Sequence, residues 1–221
     1  MKKYVICDFD STIVSIETLD ELAKFVMHKS EYKADLTQKI EEITEMGMQG
    51  KISFSQSLYM RLDLMHLHKD DIEEFKDRVK NAITVSVDKN KKFIEKNRDN
   101  MYVVSGGFRE LITPAAVSIG FKKENIFAND FVYDGKGYVT GFDENNFLAT
   151  TLGKANQVKQ LQLEGCVIMV GDGWTDYEVK QEGVADCFVA FAEHVERKIV
   201  VQHADCVAYD FDEVINFYKK V

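Results

Sequence analysis

The chain has 221 residues, of which 45% are hydrophobic, and a formal net charge of −9. This length and apolar content suffice for one globular core, with or without a smaller companion domain. The acidic balance and the lack of a long basic run argue against nucleic acid as a main partner. No segment is apolar over the length needed to span a bilayer, so the sequence predicts no membrane partner.

The N-terminus and the cysteines both indicate a cytoplasmic protein. The apolar segment that follows Met1-Lys2-Lys3 is too short for the core of a signal peptide. Each of the four cysteines occurs singly inside an apolar run, without the spacing of metal ligands. We therefore expect buried free thiols in a reducing compartment.

The first predicted element is an apolar strand, Tyr4–Cys7, which runs directly into Asp8 and Asp10. Its composition is typical of a buried parallel strand, and open α/β sheets bind ligands at the carboxyl ends of such strands. Strand alternation directs both carboxyl groups toward one pocket, with the residue between them on the other face. Two acids this close repel each other unless a cation lies between them.

The next two residues predict an anion site beside that cation. Ser11 and Thr12 favour a turn whose backbone N–H groups can bind an anion. A hard cation next to a bound anion indicates phosphate chemistry with Mg2+. The alternative interpretation is a solvated turn with a helix cap, because Asp, Ser and Thr favour both kinds of position.

Helical periodicity dominates the following part of the chain, and no clear strand interrupts it. The helical segments are 17–28, 34–46, 54–64 and 70–79. Because alternating α/β patterning resumes only afterwards, this block is predicted to be a helical insertion in an α/β protein. We expect a Rossmann-like parallel sheet core formed by residues 1–14 and 85–221, with an inserted helical cap domain formed by residues 15–84.

The remaining elements alternate between helices and strands. Asp134–Gly137 separates two β-type runs within 125–142, which predicts a hairpin. The strand over 100–104 is expected to end in Ser105–Phe108 and to be followed by a helix that runs to Ile119, and Asp212 is expected to cap the last helix. The other predicted segments are helices over 88–97, 154–163 and 212–220, and strands over 100–104, 166–170, 186–191 and 204–209.

Polar clusters follow three of these strands, and in a parallel sheet such strand ends share one edge. The clusters are Asp8 with Asp10, the Ser105–Gly107 segment, and Asp172 with Asp176. The glycines let the backbone approach a phosphate, and a helix N-terminus after Ser105 would point at the anion. A capped helix entry and a plain loop turn are the alternatives for the second and third clusters, but their joint occurrence with the first favours a site.

The motifs, in this order, resemble those of the haloacid-dehalogenase-like phosphatases, which carry Asp-x-Asp-x-Thr first, Ser or Thr second, Lys third and Gly-Asp-x-x-x-Asp last. The resemblance covers nearly the whole chain and is strongest to the phosphoserine phosphatase branch of this family. The matching stretches are Asp8–Thr12 with Glu17, Met48–Leu62, Val104–Phe108, Asn125–Asn129, Gly141–Glu144 and Gly171–Asp176. Glu17, Phe54 and Arg61 are more specific to that branch than the catalytic motifs are.

The resemblance implies a role for each carboxylate of the sheet edge. Asp8 would be the nucleophile that forms an aspartyl-phosphate, and Asp10 would act first as general acid and then as general base. A raised pKa, to which neighbouring Asp8 could contribute, would let Asp10 hold its proton near neutral pH. Mg2+ would be bound by the Asp8 carboxylate, the Asp10 carbonyl and Asp172, with Asp176 in support.

The resemblance also implies catalytic roles for Lys154 and Ser105. Lys154 would contact both the phosphoryl group and Asp8. A solvated lysine at a helix start is by far the commoner role for such a residue; only the place of Lys154 between the second and fourth motifs singles it out, and Lys159 is a weaker rival. Ser105 and the Gly106 N–H would bind phosphoryl oxygens, where negative charge builds up during the reaction.

Substrate choice is implied to lie in the inserted helices. Arg61 would bind a substrate carboxylate with its guanidinium, and Glu17 would bind an ammonium group. Phe54 and Met48 would line the pocket and exclude water. Spacing alone leaves an exposed helix arginine, a glutamate at a helix N-terminus and a core phenylalanine as alternatives. The predicted substrate-binding set is Glu17, Met48, Phe54, Arg61, Ser105, Gly106 and Thr175.

A few residues depart from the family pattern. Thr175 stands where many members have Asn. Gln49 and Lys51 alter the stretch beside Met48, which could tune substrate choice. Asp130 stands where close relatives often have a basic residue, and the sequence gives no meaning to this change.

The predicted activity is Mg2+-dependent hydrolysis of O-phosphoserine to serine and phosphate by a phosphomonoesterase that is a monomer or a homodimer. The alternatives are another small phosphorylated metabolite as substrate, phosphoryl transfer to an acceptor other than water, and a non-catalytic phosphate-binding relative. His66 and His68 lack nearby Cys or His partners, so they are predicted to be solvated loop residues and not metal ligands.

Overall fold

The computed structural model describes residues 1–27, 33–48 and 51–221, with only the backbone of 33–35, 41, 45, 47 and 48. The strands of these residues are β1 (Lys3–Cys7), β2 (Met101–Phe108), β3 (Ile126–Asn129), β4 (Phe131–Tyr133), β5 (Val139–Phe142), β6 (Cys166–Gly171), β7 (Cys187–Phe191) and β8 (Cys206–Ala208). The α-helices are α1 (Thr18–Met27), α2 (Lys33–Met48), α3 (Phe54–Met65), α4 (Lys69–Asn81), α5 (Val85–Lys89), α6 (Lys91–Asn97), α7 (Arg109–Ser118), α8 (Gly153–Gln160), α9 (Trp174–Gln181), α10 (Lys198–Val201) and α11 (Phe211–Lys220). None of the helices in these ranges is long and apolar enough to cross a membrane.

A parallel sheet forms the centre of the molecule, with the strand order β3-β2-β1-β6-β7-β8 in the described residues. β1 lies in the middle, paired with β2 on one side and with β6 on the other. β1 and β6 are buried along nearly their whole length, as expected of strands that helices cover on both faces. The predicted Asp134–Gly137 turn joins β4 and β5 into a separate antiparallel hairpin. The prediction of an α/β fold with a parallel sheet is confirmed.

Helices α1–α4 follow β1, and no strand separates them in the described ranges. The chain leaves the sheet region at Val14 and returns at Ile83, and these two residues form an antiparallel bridge. The Thr84 N–H also donates to the Ile13 carbonyl oxygen at 2.9 Å. We propose that this paired crossing marks the boundary between the core and the inserted helices.

Helices α3 and α4 both pack against the rest of the molecule. α4 packs against α7, and α3 packs against β5. Phe75 of α4 is buried, and its ring centroid lies 5.5 Å from that of Phe25 in α1. The Phe75–Phe25 contact therefore packs α4 against α1 within the inserted helices, and α4 also packs against α7 of the core.

The end of β2 differs from the sequence prediction. The strand that was expected to stop before Ser105 continues to Phe108, and α7 begins only at Arg109. The cause is pairing with a distant strand, because β2 bulges after Val104 and then pairs again with β3 at Phe108 and Asn129. A helix follows the Ser105–Phe108 segment as predicted, but its first residue lies four positions after Ser105, so its N-terminus is not next to that serine.

The cap of the last helix also differs from the prediction. The Asp210 side chain accepts a hydrogen bond from the Glu213 N–H at 2.9 Å and caps α11, so the assignment of that cap to Asp212 is wrong. Asp212 instead accepts hydrogen bonds from Lys89 at 2.7 Å and Asn90 at 3.0 Å. A distant helix end thus decides the role of this carboxylate.

All four cysteines are free, as predicted. Cys7 and Cys166 are buried, whereas Cys187 and Cys206 are only half-buried. Burial is the main cause of a raised pKa of the Cys7 thiol, which keeps it protonated. Although Cys7 directly precedes the first polar cluster, it therefore acts as a packing residue.

Phe75 provides a test of the packing of α4 against α1. Replacing Phe75 by Ala should lower the free energy of unfolding by about 3–5 kcal/mol, because it empties a fully buried aromatic site between α4 and α1. Urea denaturation followed by circular dichroism measures this loss. Lys80→Ala, on the exposed side of the same helix, should change the stability by about 0.5 kcal/mol or less. Equal effects of the two variants would contradict the packing described here.

Candidate active site

The site begins with buried carboxylates at the ends of two adjacent strands. Asp8 follows β1 and Asp172 follows β6, and the Asp8 N–H donates to the Val170 carbonyl oxygen at 2.8 Å. Asp176 reaches the same point from the first turn of α9. One carboxylate oxygen from each of these three aspartates lies within 4.8 Å of the others. The parallel register therefore brings together the first and third clusters predicted from the sequence.

Lys154 lies among these acids at the start of α8. Its Nζ is 2.7 Å from Oδ1 of Asp8 and 2.7 Å from Oδ1 of Asp176, and its side chain is only 10% exposed. Burial alone would lower the pKa of Lys154, but the charges of Asp176 and Asp8 outweigh it and raise the pKa. The lysine is therefore a fixed positive charge in the site, while Lys159 is exposed.

Both carboxylate oxygens of Asp176 have a hydrogen-bond donor. Its Oδ2 accepts a hydrogen bond from the Gly173 N–H at 2.9 Å, while Oδ1 faces Lys154. Burial, and then the charge of Asp8, raise the pKa of Asp176 to about 7. Gly171 makes room for it, because a Cβ at that position would lie 2.3 Å from the carboxyl group.

Asp10 is held by the start of α1. It accepts hydrogen bonds from the backbone N–H of Thr18 at 3.1 Å and from the Thr18 hydroxyl at 3.2 Å. Ser11, the residue after Asp10, adopts a left-handed conformation with φ of 51°, and its hydroxyl donates to Glu17 at 2.8 Å. Burial, followed by the charges of Glu17 and Asp8, raises the pKa of Asp10 well above its usual value.

The bulged segment of β2 completes the pocket on the other side. Ser105 is buried, and its hydroxyl accepts from the Gly107 N–H at 3.0 Å. A Cβ at Gly107 would lie 3.5 Å from Oδ2 of Asp10, and one at Gly106 would lie 2.9 Å from the ring of Phe54. Gly106 therefore makes room for the ring of Phe54, and Asp10 lies beside Gly107.

The predicted substrate-binding residues lie at different depths. Arg61 donates to Asp20 at 3.2 Å and is only 11% exposed, so it is not a solvated helix arginine. Thr175 is exposed in the first turn of α9. Lys51 is also exposed, while the side chain of Met48 and the whole of Gln49 lie outside the described residues.

Sequence reasoning missed Arg197, which lies in the loop after β7. Its guanidinium contacts Oδ2 of Asp172, donates to the Asp172 carbonyl oxygen at 3.4 Å, and lies 3.9 Å from Oε1 of Glu17. Burial is the main cause of a raised pKa of Glu17, and this arginine partly opposes it. Topology could have indicated this arginine, because β7 ends at the same edge of the sheet as β1 and β6 and the loop after it therefore lies near their aspartates.

The structure explains the unusual Asp130. It forms a two-pronged ion pair with Arg109, with Nε 2.6 Å from Oδ1 and Nη2 3.4 Å from Oδ2. Arg109 also donates to the carbonyl oxygens of Ile126 and Ala128. Asp130 therefore fixes the start of α7 to β3 and does not join the acid cluster.

The two histidines are structural, as their surroundings show. His66 ends α3 in the left-handed conformation, whereas half-buried His68 caps α4. The His68 ring packs edge-on against Tyr138, and its Nε2 lies 3.1 Å from the Lys136 carbonyl oxygen. His66 is exposed, as predicted, whereas His68 is not the solvated loop residue that the sequence predicted.

Comparison with known proteins identifies the family. A family model described as haloacid dehalogenase-like hydrolase matches residues 5–179. The chloroplastic phosphoserine phosphatase of Arabidopsis thaliana is 34% identical, over 95% of this chain and 69% of that protein. The chain belongs to the haloacid dehalogenase-like hydrolase family. Within it, the protein is a phosphatase closely related to the phosphoserine phosphatases, which confirms the resemblance seen in the motifs.

Solved structures agree with this assignment. A phosphoserine phosphohydrolase-like protein from Francisella tularensis is 33% identical and superposes with a TM-score of 0.85, over 98% of this chain and 99% of that one. A phospho-aspartyl intermediate analogue of phosphoserine phosphatase is 26% identical, with a TM-score of 0.77 over 98% of each chain.

The acid cluster is suited to a divalent metal ion. Asp8, Asp172 and Asp176 offer only oxygen donors, which are the ligands of hard cations such as Mg2+. The raised pKa of Asp176 also reflects crowded negative charge that a cation would relieve. The described residues therefore fit such an ion without a histidine or cysteine ligand.

Gly171 offers a test of the site's packing. Gly171→Ala should displace the Asp176 carboxylate, destabilise the protein by about 1–3 kcal/mol and lower phosphatase activity, since the new Cβ would overlap that group. Thermal denaturation and phosphate release measure the two effects. Gly135→Ala, in an open turn with nothing within 4 Å of the new Cβ, is the matched control and should leave both unchanged.

Proposed function

We propose that this protein hydrolyses O-phosphoserine to serine and phosphate through an aspartyl-phosphate on Asp8. The observation that carries the proposal is the placement of the Asp8 carboxylate 2.7 Å from Lys154 at the carboxyl edge of the sheet. A buried carboxylate beside a fixed cation is available to attack an electrophile while its charge is held in place. The relatives named as phosphoserine phosphatases support the choice of substrate.

In the first step, an Asp8 oxygen attacks phosphorus and the bond from phosphorus to the serine oxygen breaks. Asp10 gives its proton to the departing serine oxygen. Its raised pKa supports this role, because the carboxyl group keeps its proton at higher pH than a solvated aspartate does. Lys154, the Ser105 hydroxyl and the Gly106 N–H bind the phosphoryl oxygens, whose charge is largest near the transition state.

In the second step, the Asp10 carboxylate takes a proton from a water molecule. The water oxygen attacks phosphorus, the bond from phosphorus to Asp8 breaks, and inorganic phosphate forms. The hydrogen bonds from Thr18 hold Asp10 in one orientation, so a single carboxyl group can serve both steps. Asp8 regains its carboxylate and its contact with Lys154.

We propose Mg2+ as the metal of this site. The carboxylates of Asp8 and Asp172 and the Asp10 carbonyl would hold it, and Asp176 would support them through Lys154 and Gly173. When bound, the ion would neutralise phosphoryl charge and so reduce the repulsion between the phosphate and Asp8.

The inserted helices would bind the amino-acid part of the substrate. Arg61 would donate to the carboxylate, Glu17 would accept from the ammonium group, and Phe54 with Met48 would line the pocket. Thr175, exposed in the first turn of α9, would contact bound substrate when the inserted helices close over it. A cytoplasmic location and a monomeric or homodimeric state remain predictions from the sequence.

A screen for phosphate release tests the substrate and the metal. With Mg2+, phosphoserine should give the highest kcat/KM in a panel of small phosphorylated metabolites, and chelation by EDTA should abolish turnover until Mg2+ is restored. Asp8→Asn should reduce kcat by about a thousandfold or more and prevent phosphate labelling of the acid-quenched enzyme. Asp63→Asn, at an exposed position, is the control. Native turnover or labelling in the Asp8 variant would refute the mechanism.

A second experiment tests the substrate carboxylate. Arg61→Met should lower kcat/KM for phosphoserine by about a hundredfold, because a charged hydrogen bond to the carboxylate is lost. Turnover of p-nitrophenyl phosphate, which has no carboxylate, should change by less than about threefold. An equal loss on both substrates would show that the assignment of phosphoserine is wrong.

A further inference from the structure

Three inserted helices meet at one polar contact. Asp20 lies in the first turn of α1, Thr44 lies in α2 and Arg61 lies in α3. Arg61 Nη1 donates to Asp20 Oδ1 at 3.2 Å and to the Thr44 hydroxyl at 3.4 Å. The Thr44 hydroxyl in turn donates to Asp20 Oδ1 at 3.3 Å. These residues form a closed triangle, the Asp20–Thr44–Arg61 cluster.

The cluster uses only part of the guanidinium group. Arg61 Nε donates to the carbonyl oxygen of Ser57, one turn earlier in its own helix, at 3.3 Å. Nη1 is occupied by Asp20 and Thr44, whereas Nη2 has no acceptor among the residues that the structure describes. The guanidinium is therefore anchored at two nitrogens and retains a donor for a ligand.

The ion pair between Arg61 and Asp20 is partly buried, so it restricts the arginine more than a surface contact would. The side chain of Arg61 is 11% exposed and that of Asp20 is 20% exposed. A free arginine side chain has many rotamers, and ordering them on binding costs free energy. An arginine that is already fixed by a partly buried partner avoids most of that cost when a ligand arrives.

We propose that Asp20 is a positioning residue, which, with Thr44, holds Arg61 in the orientation that binds the substrate carboxylate. The inference rests on the proposed function, because it assigns to Arg61 a carboxylate ligand. Glu17 precedes α1 and Asp20 lies in its first turn, and the two acids are close enough for the charge of Asp20 to act on Glu17. One acid would bind the substrate ammonium, and the other would act only through Arg61.

The test compares Asp20→Ala and Asp20→Asn on two substrates. Phosphoserine and O-phosphoethanolamine share the ammonium and phosphoryl groups, but only phosphoserine has a carboxylate. Asp20→Ala should raise KM for phosphoserine about tenfold with kcat nearly unchanged, whereas KM for phosphoethanolamine should stay the same. Asp20→Asn keeps an oxygen acceptor for Arg61, so it should recover part of the loss. Glu21→Gln, an exposed acid of the same helix, is the matched control and should behave as the native enzyme.

A double-mutant cycle shows whether Asp20 acts through Arg61. Arg61→Met and the double variant Asp20→Ala/Arg61→Met should have the same KM for phosphoserine, since Asp20 has nothing left to orient. Additive losses in the double variant would refute the proposal. Thermal denaturation of each variant separates a loss of folded protein from a change in binding.

The remaining outcomes separate this inference from the proposed function. If the native enzyme prefers phosphoserine and Arg61→Met loses that preference, but Asp20→Ala keeps the native KM, then the positioning role is wrong and the proposed function stands. A lower KM in Asp20→Ala would show that Asp20 competes with the substrate for Arg61, which also refutes positioning. If the native enzyme does not distinguish the two substrates, the proposed substrate itself fails.

Discussion

The contact of Lys154 with Asp8 and Asp176 is the interaction on which the rest of the site depends. Each oxygen lies 2.7 Å from Nζ, and the group is almost fully shielded from water. Three buried carboxylates without a counter-charge would be strongly destabilising, because charge is poorly screened away from solvent. The lysine supplies that counter-charge, and the same contact fixes the position of the Asp8 carboxylate.

The parallel sheet explains why these groups meet. β1, β2, β6 and β7 run side by side in one direction, so the segments that follow them collect at a single edge. Each segment contributes a different group, including a carboxylate after β1 and β6, the Ser105–Gly107 bulge of β2, and Arg197 after β7. The arrangement confines the chemistry to one rim of the core, where the inserted helices can cover it.

The start of the first inserted helix, α1, contacts residues of this rim. Thr18 holds Asp10, while Glu17 lies between the Ser11 hydroxyl and Arg197. The start of α1 is therefore bound to this rim. The Asp20–Thr44–Arg61 cluster connects the same helix to α2 and α3. The orientation of Asp10 and the position of Arg61 thus both depend on residues in the short stretch 17–20.

The sequence by itself determined the alternation of elements, the strand that ends in Asp8 and Asp10, the cluster of Asp172 and Asp176, and the hairpin turn at Asp134–Gly137. These features are local, since they follow from residue order, hydrophobic periodicity and turn chemistry. Tertiary structure alone decided that β2 continues to Phe108, that Asp210 and not Asp212 caps α11, that Asp20 pairs with Arg61, and that Arg197 contacts Asp172. Each of these depends on partners distant in the chain, and no local pattern specifies which distant donor a carboxylate will meet.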